Sequence, residues 1–124
     1  MNRTGRRWGR LSVLQLAVLA SSTPAFAGSP RAEGFTKLSA AQIRQAFVGK
    51  TFSDDTHFSN RYKTDGTIVG TSMGKKINNR WKIVKDTLCI TDKRDELCYA
   101  VWVEGREVKL VYENSDLILE GTIK

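Results

Sequence analysis

The sequence is poor in the residues that metal and redox centres use, since it has one histidine and two cysteines among 124 residues. Cys89 and Cys98 do not form a C-x-x-C pair and have no third ligand nearby in the sequence, which argues against a zinc or dithiol redox site. A Ser/His/Asp spacing, a second acidic cluster and a glycine-rich phosphate loop are also missing. We therefore predict that the protein is not an enzyme and needs no cofactor.

Long apolar runs are missing as well. The apolar run over residues 11–20 is about half the length that a membrane-spanning helix requires. It follows four arginines and precedes the small-x-small sequence Ala25-Phe26-Ala27, which is the order of a secretory signal peptide. We predict that residues 1–27 are a cleaved signal peptide, that the protein is bacterial and periplasmic or secreted, and that no membrane span remains after cleavage.

Removal of this signal changes the charge of the chain. Residues 1–27 contain four arginines and no acidic residue, so the formal net charge falls from +7 to +3, which disfavours nucleic acid as a partner. The 97 remaining residues are enough for one domain. Because residues 28–37 contain Pro30 and two glycines and show no periodicity, we predict a flexible lead-in there and a single β-rich domain over residues 38–124.

The domain is predicted to begin with one short amphipathic helix. Ser39 and Gln42 form a capping-box pattern, Ile43 and Phe47 share one face, and Gly49 ends the helix. Beyond this glycine, apolar residues recur at every second position and turn residues recur every 8–12 positions. We predict a mostly β fold, in which a short N-terminal helix is followed by an antiparallel meander of about six to eight strands that forms a small barrel or a strongly curved sheet.

The turns of the last third of the chain predict its strand register. With turns at residues 92–95, 105–106 and 114–115, four strands present one continuous apolar face. The predicted pairs on that face include Leu88 with Tyr99, Val101 with Leu110, and Leu110 with Leu119. The same register places Cys89 opposite Cys98, within disulfide reach, and an exported protein favours a structural disulfide there.

Cationic residues are concentrated in the middle of the chain, with aromatic residues between them. The candidate residues for a polyanion-binding face are Arg61, Lys63, Lys75, Lys76, Arg80 and Lys82. Cationic strands with aromatics bind polyanions by charge and stacking, and after export the partner would be an envelope glycan, a lipid headgroup or another periplasmic protein. The alternative is a solvated face whose lysines prevent the sheet edges from pairing. The favoured function is thus non-enzymatic binding or interaction with an unknown ligand.

A second region carries the alternative function. Asp54, Asp55 and His57 are weak candidates for a divalent metal site or for an acid–base pair, as in an enzyme inhibitor or a small hydrolase-like site. The simpler interpretation is a polar loop between the helix and the first long hairpin.

Several ordered landmarks over residues 38–121 resemble a known family. They are Phe47-x-Gly49-x-Thr51, Tyr62-x-x-Asp65-Gly66-Thr67, Arg80-Trp81-x-Ile83, Leu88-Cys89 and Cys98-Tyr99-x-Val101. In this order they resemble small exported proteins of alphaproteobacteria that are classed as a domain of unknown function. The resemblance implies a β-rich exported domain with a cysteine pair, and it implies no activity, ligand or catalytic residue. Asn79 departs from the pattern, because relatives are expected to have glycine there.

Overall fold

The computed structural model describes residues 29–124, so the predicted signal peptide and its cleavage site lie outside the described residues. A 3₁₀ turn (Arg31–Glu33) precedes the first strand, and the helix α1 spans Ala40–Phe47. The nine strands are β1 (Thr36–Lys37), β2 (Thr51–Ser53), β3 (Phe58–Tyr62), β4 (Thr67–Ser72), β5 (Lys75–Val84), β6 (Thr87–Thr91), β7 (Glu96–Glu104), β8 (Glu107–Tyr112) and β9 (Ile118–Ile123). Within residues 29–124, no helix is long and apolar enough to cross a bilayer.

Strands β2 to β9 form a closed antiparallel barrel of eight strands. Each strand pairs with the next along the chain, and β2 closes the ring by pairing with β9, where Phe52 lies opposite Ile123. The predicted mostly β antiparallel meander is therefore confirmed, and the structure adopts the barrel instead of the open curved sheet. The ninth strand, β1, is extra to the barrel and pairs with the end of β7 that β6 does not reach.

The start of the domain differs from the prediction in two respects. The helix is not the N-terminal element, because the 3₁₀ turn and β1 come before it. Residues 28–37 were expected to lack regular structure, yet Thr36 pairs with Val103 and the side chain of Phe35 is buried. A strand of two residues is too short to show a period of two, so the sequence pattern could not reveal it.

The helix itself begins and ends as its sequence predicts. Ser39 Oγ accepts a hydrogen bond from the Gln42 backbone amide, and Gln42 Oε1 accepts one from the Ser39 amide, which completes the capping box. Ile43 and Phe47 are fully buried, and Gly49 has φ 75° just after the helix. Both apolar side chains belong to the core of the barrel, so the helix serves to plug it.

The predicted register of the last four strands is confirmed. Leu88 pairs with Tyr99, Val101 with Leu110, and Leu110 with Leu119. All of these positions except Leu119 are buried, and Leu119 packs against the core from a half-buried position. Because side chains alternate between the two faces of a strand, this agreement sets the inward and outward positions along the whole second half of the chain.

Candidate functional site

The interior of the barrel is filled by its own side chains. Phe47 and Tyr62 are in edge-to-face contact with ring centres 4.9 Å apart, and Tyr62 contacts Trp81 in the same way at 5.8 Å. The indole Nε1 of Trp81 donates a hydrogen bond to the carbonyl oxygen of Lys63. Burial holds the pKa of Tyr62 well above its ordinary value, with a smaller contribution from Tyr99. An eight-stranded barrel is just wide enough for side chains to fill it, which leaves the outer surface of the barrel for binding sites.

Five of the six predicted cationic residues lie together on the outside of the barrel, on β3, directly after β3 and on β5, with β4 between them. All six are exposed. Because Trp81 is buried within β5, the residues on either side of it, Arg80 and Lys82, point outward. Lys76 follows the same alternation, and the register aligns Arg61 of β3 with β4 and β5. We call the outward set the basic face; it consists of Arg61, Lys63, Lys76, Arg80 and Lys82.

Lys75 does not belong to this face. It is the first residue of β5, directly after the hairpin turn. Because it is six positions from the inward-facing Trp81, its side chain lies on the same side of the strand as Trp81. Its position beyond the core leaves it exposed at the tip of the β4–β5 hairpin. Five of the six predicted residues therefore lie on the basic face, and Lys75 lies outside it.

The charges of the basic face are only partly balanced. Lys82 pairs with Glu96 at 3.2 Å, whereas the other four cations form no salt bridge within residues 29–124. Hydrogen bonds from the Thr67 hydroxyl and amide lower the pKa of Asp65 in the adjacent turn, and the charges of Lys63 and Arg80 lower it further. Val69, an exposed apolar residue, lies between Arg61 and Asn78 in the register. The face thus combines unpaired cations with a small apolar centre.

A groove of about 940 Å³ lies next to the basic face. One wall is formed by β4 and the first half of β5, and the other wall is the loop of residues 92–95 between β6 and β7. Asp92 Oδ1 accepts hydrogen bonds from the amides of Arg94 and Asp95, which holds the loop in place and lowers the pKa of Asp92. The groove has no counterpart in the sequence pattern, which indicates only a hairpin loop at residues 92–95. It depends on the unequal lengths of β5 and β6, which a turn pattern alone does not specify.

The loop that contains Asp54, Asp55 and His57 is held together by hydrogen bonds of its own. Asp54 Oδ1 accepts from the amides of Thr56, His57 and Phe58 at 2.9, 2.6 and 3.0 Å. Its other oxygen, Oδ2, lies 2.8 Å from His57 Nδ1. Desolvation raises the pKa of Asp54, but the amides of Thr56 and Phe58 and the His57 ring outweigh it and hold the pKa far below its usual value.

Both oxygens of Asp54 are therefore engaged in stabilising the loop. Asp55 points elsewhere, toward Ser53 Oγ at 3.4 Å and Lys124 Nζ at 3.6 Å. In the part of the chain that the structure describes, no group of three or more His, Cys, Asp or Glu side chains is arranged to hold a metal ion. This arrangement favours the interpretation of a polar loop.

The opposite side of the barrel contains a second polar cluster that the sequence analysis did not find. Lys109 on β8 is paired with Glu33, lies 3.8 Å from Glu120 and lies 4.8 Å from the centre of the Phe35 ring. The hydrogen bond to Glu33 raises the pKa of Lys109, against desolvation and with help from Glu120. A second cation–π contact lies nearby, where the guanidinium of Arg31 is 5.2 Å from the centre of the Trp102 ring. Residues 31–37 thus pack against β7 and β8, where their contacts stabilise the barrel.

Comparison with known proteins adds nothing to this geometry. No protein-family model, no curated protein and no solved structure matches the chain. The function must therefore be argued from the site itself.

Proposed function

We propose that this chain is an exported, non-enzymatic bacterial binding protein, periplasmic or secreted, whose basic face recognises an anionic ligand of the envelope. The observation that carries the proposal is a set of four cations that form no salt bridge within residues 29–124 and lie together on the outside of the barrel, on β3, directly after β3 and on β5. Unpaired cations on one surface create a local positive potential that attracts anions. The family resemblance of residues 38–121 supports the export of the chain and suggests no ligand.

The filled interior supports binding at the surface. Tyr62, Trp81 and Tyr99 are all buried in the core, so they are unavailable as stacking platforms for a ligand. The remaining features of the face are charge, the Asn78 amide and the small apolar surface of Val69. Such a face provides electrostatic attraction with little shape selectivity.

The spacing of the cations suggests a ligand with repeated charges. Arg61 and Lys63 are two residues apart in extended backbone at the end of β3, which places their Cα atoms about 6.5–7 Å apart. Arginine also binds phosphate and carboxylate groups with two parallel hydrogen bonds. An acidic glycan or a cluster of anionic lipid headgroups supplies several anions at such separations, which a single small ion does not.

The alternative function, an enzyme inhibitor or a small hydrolase-like or metal site at the Asp54 loop, has less support. Asp54 already accepts three amide hydrogen bonds and contacts His57, so a substrate or ion would compete with the contacts that shape the loop. We therefore favour binding over catalysis.

A charge-reversal titration tests the proposal. The exported protein and its Arg61→Glu/Arg80→Glu variant are titrated with phosphatidylcholine vesicles with and without phosphatidylglycerol, and with polygalacturonate as a carboxylated glycan. We expect the parent to bind at least one of the anionic probes, with an affinity that falls as salt is added. Because each surface cation contributes about 1 kcal/mol to binding an anionic surface, the variant should bind at least about tenfold more weakly.

A matched variant separates the basic face from net charge. Lys50→Glu/Arg106→Glu changes the charge by the same amount at two other exposed positions. It should retain most of the binding. Equal losses in both variants would show that only net charge matters, and no binding of either anionic probe by the parent would contradict the proposal.

A further inference from the structure

Strand β5 is twice as long as the strand beside it. It has ten residues and β6 has five, and their pairing runs from Arg80 opposite Thr91 to Val84 opposite Thr87. Residues 75–79 therefore pair with β4 on one side only. After Thr91 the chain leaves the sheet through the loop of residues 92–95, so the position next to residues 75–79 is the groove.

The backbone groups that face this groove can be identified. The amide of Trp81 donates to the carbonyl oxygen of Gly66, so Trp81 directs its backbone toward the β4 side. In an antiparallel ladder, successive residues direct their backbone groups to opposite neighbours. Asn78 and Lys76 therefore direct their N–H and C=O groups to the groove side, where no strand pairs with them. An edge of this kind is a template for an added strand.

The groove has room and suitable walls for an extended chain. Its volume of about 940 Å³ is at the upper end of the usual range for ligand pockets. The wall along β5 offers the backbone of Lys76 and Asn78 together with the side chains of Ile77 and Asn79. A strand in this position would continue the line of β6 and would pair antiparallel with β5.

The charges around the groove specify the occupant. Lys76, Lys93 and Arg94 line it, and Lys75 stands at the hairpin tip. Asp92 and Asp95 also line the groove, so its lining has three cations against two carboxylates, and Lys75 adds a fourth cation beside it. A second copy of this edge is disfavoured, because two-fold pairing would bring the cations of one β5 strand close to those of the other.

We propose that this groove binds an extended acidic peptide segment of another protein, which adds as a strand to the free edge of β5. The main-chain hydrogen bonds of Lys76 and Asn78 supply the affinity, and the surrounding cations select acidic side chains. Lys76 belongs to both this site and the basic face, but the two proposals can be tested separately, because the peptide depends on backbone groups of Lys76 and Asn78 that the Arg61→Glu/Arg80→Glu substitutions leave intact.

N-methylated peptides test the site without altering the protein. The probe is an end-capped heptapeptide of alternating glutamate and valine, and its two derivatives carry N-methyl groups either on every valine or on every glutamate. Only one of the two sets of amides can face β5 in an added strand. We expect one derivative to bind like the parent peptide and the other to lose at least about tenfold, since each lost hydrogen bond weakens binding by about 1 kcal/mol.

Amide hydrogen exchange locates the bound peptide. Addition of the parent peptide should slow exchange at Lys76 and Asn78 and leave Ile77, which is paired with β4, unchanged. A heptapeptide with lysine in place of glutamate should bind at least tenfold more weakly.

Three outcomes would overturn the inference. They are no binding of the acidic peptide, equal binding of both methylated derivatives, and protection of Lys76 and Asn78 that rises with protein concentration without peptide. The last would identify a second copy as the occupant. Failure of the anionic vesicles and glycan to bind would overturn the function proposed for the basic face and leave these three criteria unaffected.

Discussion

At the scale of single residues, two tryptophans of the same sheet have different environments. Trp81 is 7% exposed, contacts Tyr62 and donates a hydrogen bond through its indole nitrogen. Trp102 lies on the outer face, half-buried beneath Arg31. The alternation of the strands predicts this division, with Trp81 inward and Trp102 outward.

The difference leads to a prediction for stability. Trp81→Ala should lower the free energy of unfolding by about 3–5 kcal/mol, because it empties a large core position and removes a buried hydrogen bond. Trp102→Ala should cost about 1 kcal/mol or less, since it removes a partly exposed ring and one cation–π contact. Urea unfolding of both variants measures the two values. A Trp81→Ala variant as stable as the parent would show that this side chain is not part of the core.

The candidate site also differs residue by residue in how far the sequence could predict it. Arg61, Arg80 and Lys82 could be assigned to the outside of the sheet, because the inward positions of Tyr62 and Trp81 set the alternation of their strands. Lys75 could not, because its place at a hairpin tip depends on where β5 begins. The role of Asp54 could not be predicted either. Its carboxylate accepts hydrogen bonds from three amides of its own loop, and such contacts produce no periodic pattern in the sequence.

At the scale of elements, the β6–β7 hairpin is joined across its strands by the cysteine pair. Cys89 lies directly opposite Cys98, and their sulfur atoms are at bonding distance, as predicted. The bond closes a loop of only about ten residues, so its entropic effect on the unfolded chain is modest. It nevertheless secures the loop of residues 92–95 that forms one wall of the groove.

Replacing both cysteines by serine should therefore weaken the fold without abolishing it. We expect the free energy of unfolding to fall by about 2–3 kcal/mol with the barrel retained. Urea unfolding and near-ultraviolet circular dichroism measure the two effects, and non-reducing peptide mapping of the parent should recover the Cys89–Cys98 link. Two free thiols in the natively folded, oxidised protein would contradict the bond.

At the scale of the whole molecule, opposite sides of the barrel carry different charges. The basic face is centred on β4, and in a ring of eight strands β4 stands opposite β8. There, Glu33 and Glu120 lie next to Lys109. Residues 29–124 carry a formal net charge of +3, and their unpaired cations are concentrated on the β3–β5 side of the barrel.

Processing is the prediction that concerns the whole chain. Cleavage between Ala27 and Gly28 should yield a product of 97 residues, because the small side chains of Ala25 and Ala27 match the requirement of signal peptidase. Intact-mass measurement of the protein recovered from the periplasm or culture medium tests this. A product that retains residues 11–20 would instead indicate an uncleaved, anchored protein.

The sequence by itself determined the β class, the helix cap and the register of the last four strands. These features arise from neighbours in the chain, since capping boxes, turns and alternation act over a few residues. The tertiary structure alone decided that the sheet closes, because Ser53 pairs with Thr122, 69 residues away, and no local pattern links them. It also decided where residues 31–37 pack and that residues 75–79 keep a free edge, since both depend on how far strands distant in sequence extend beside one another.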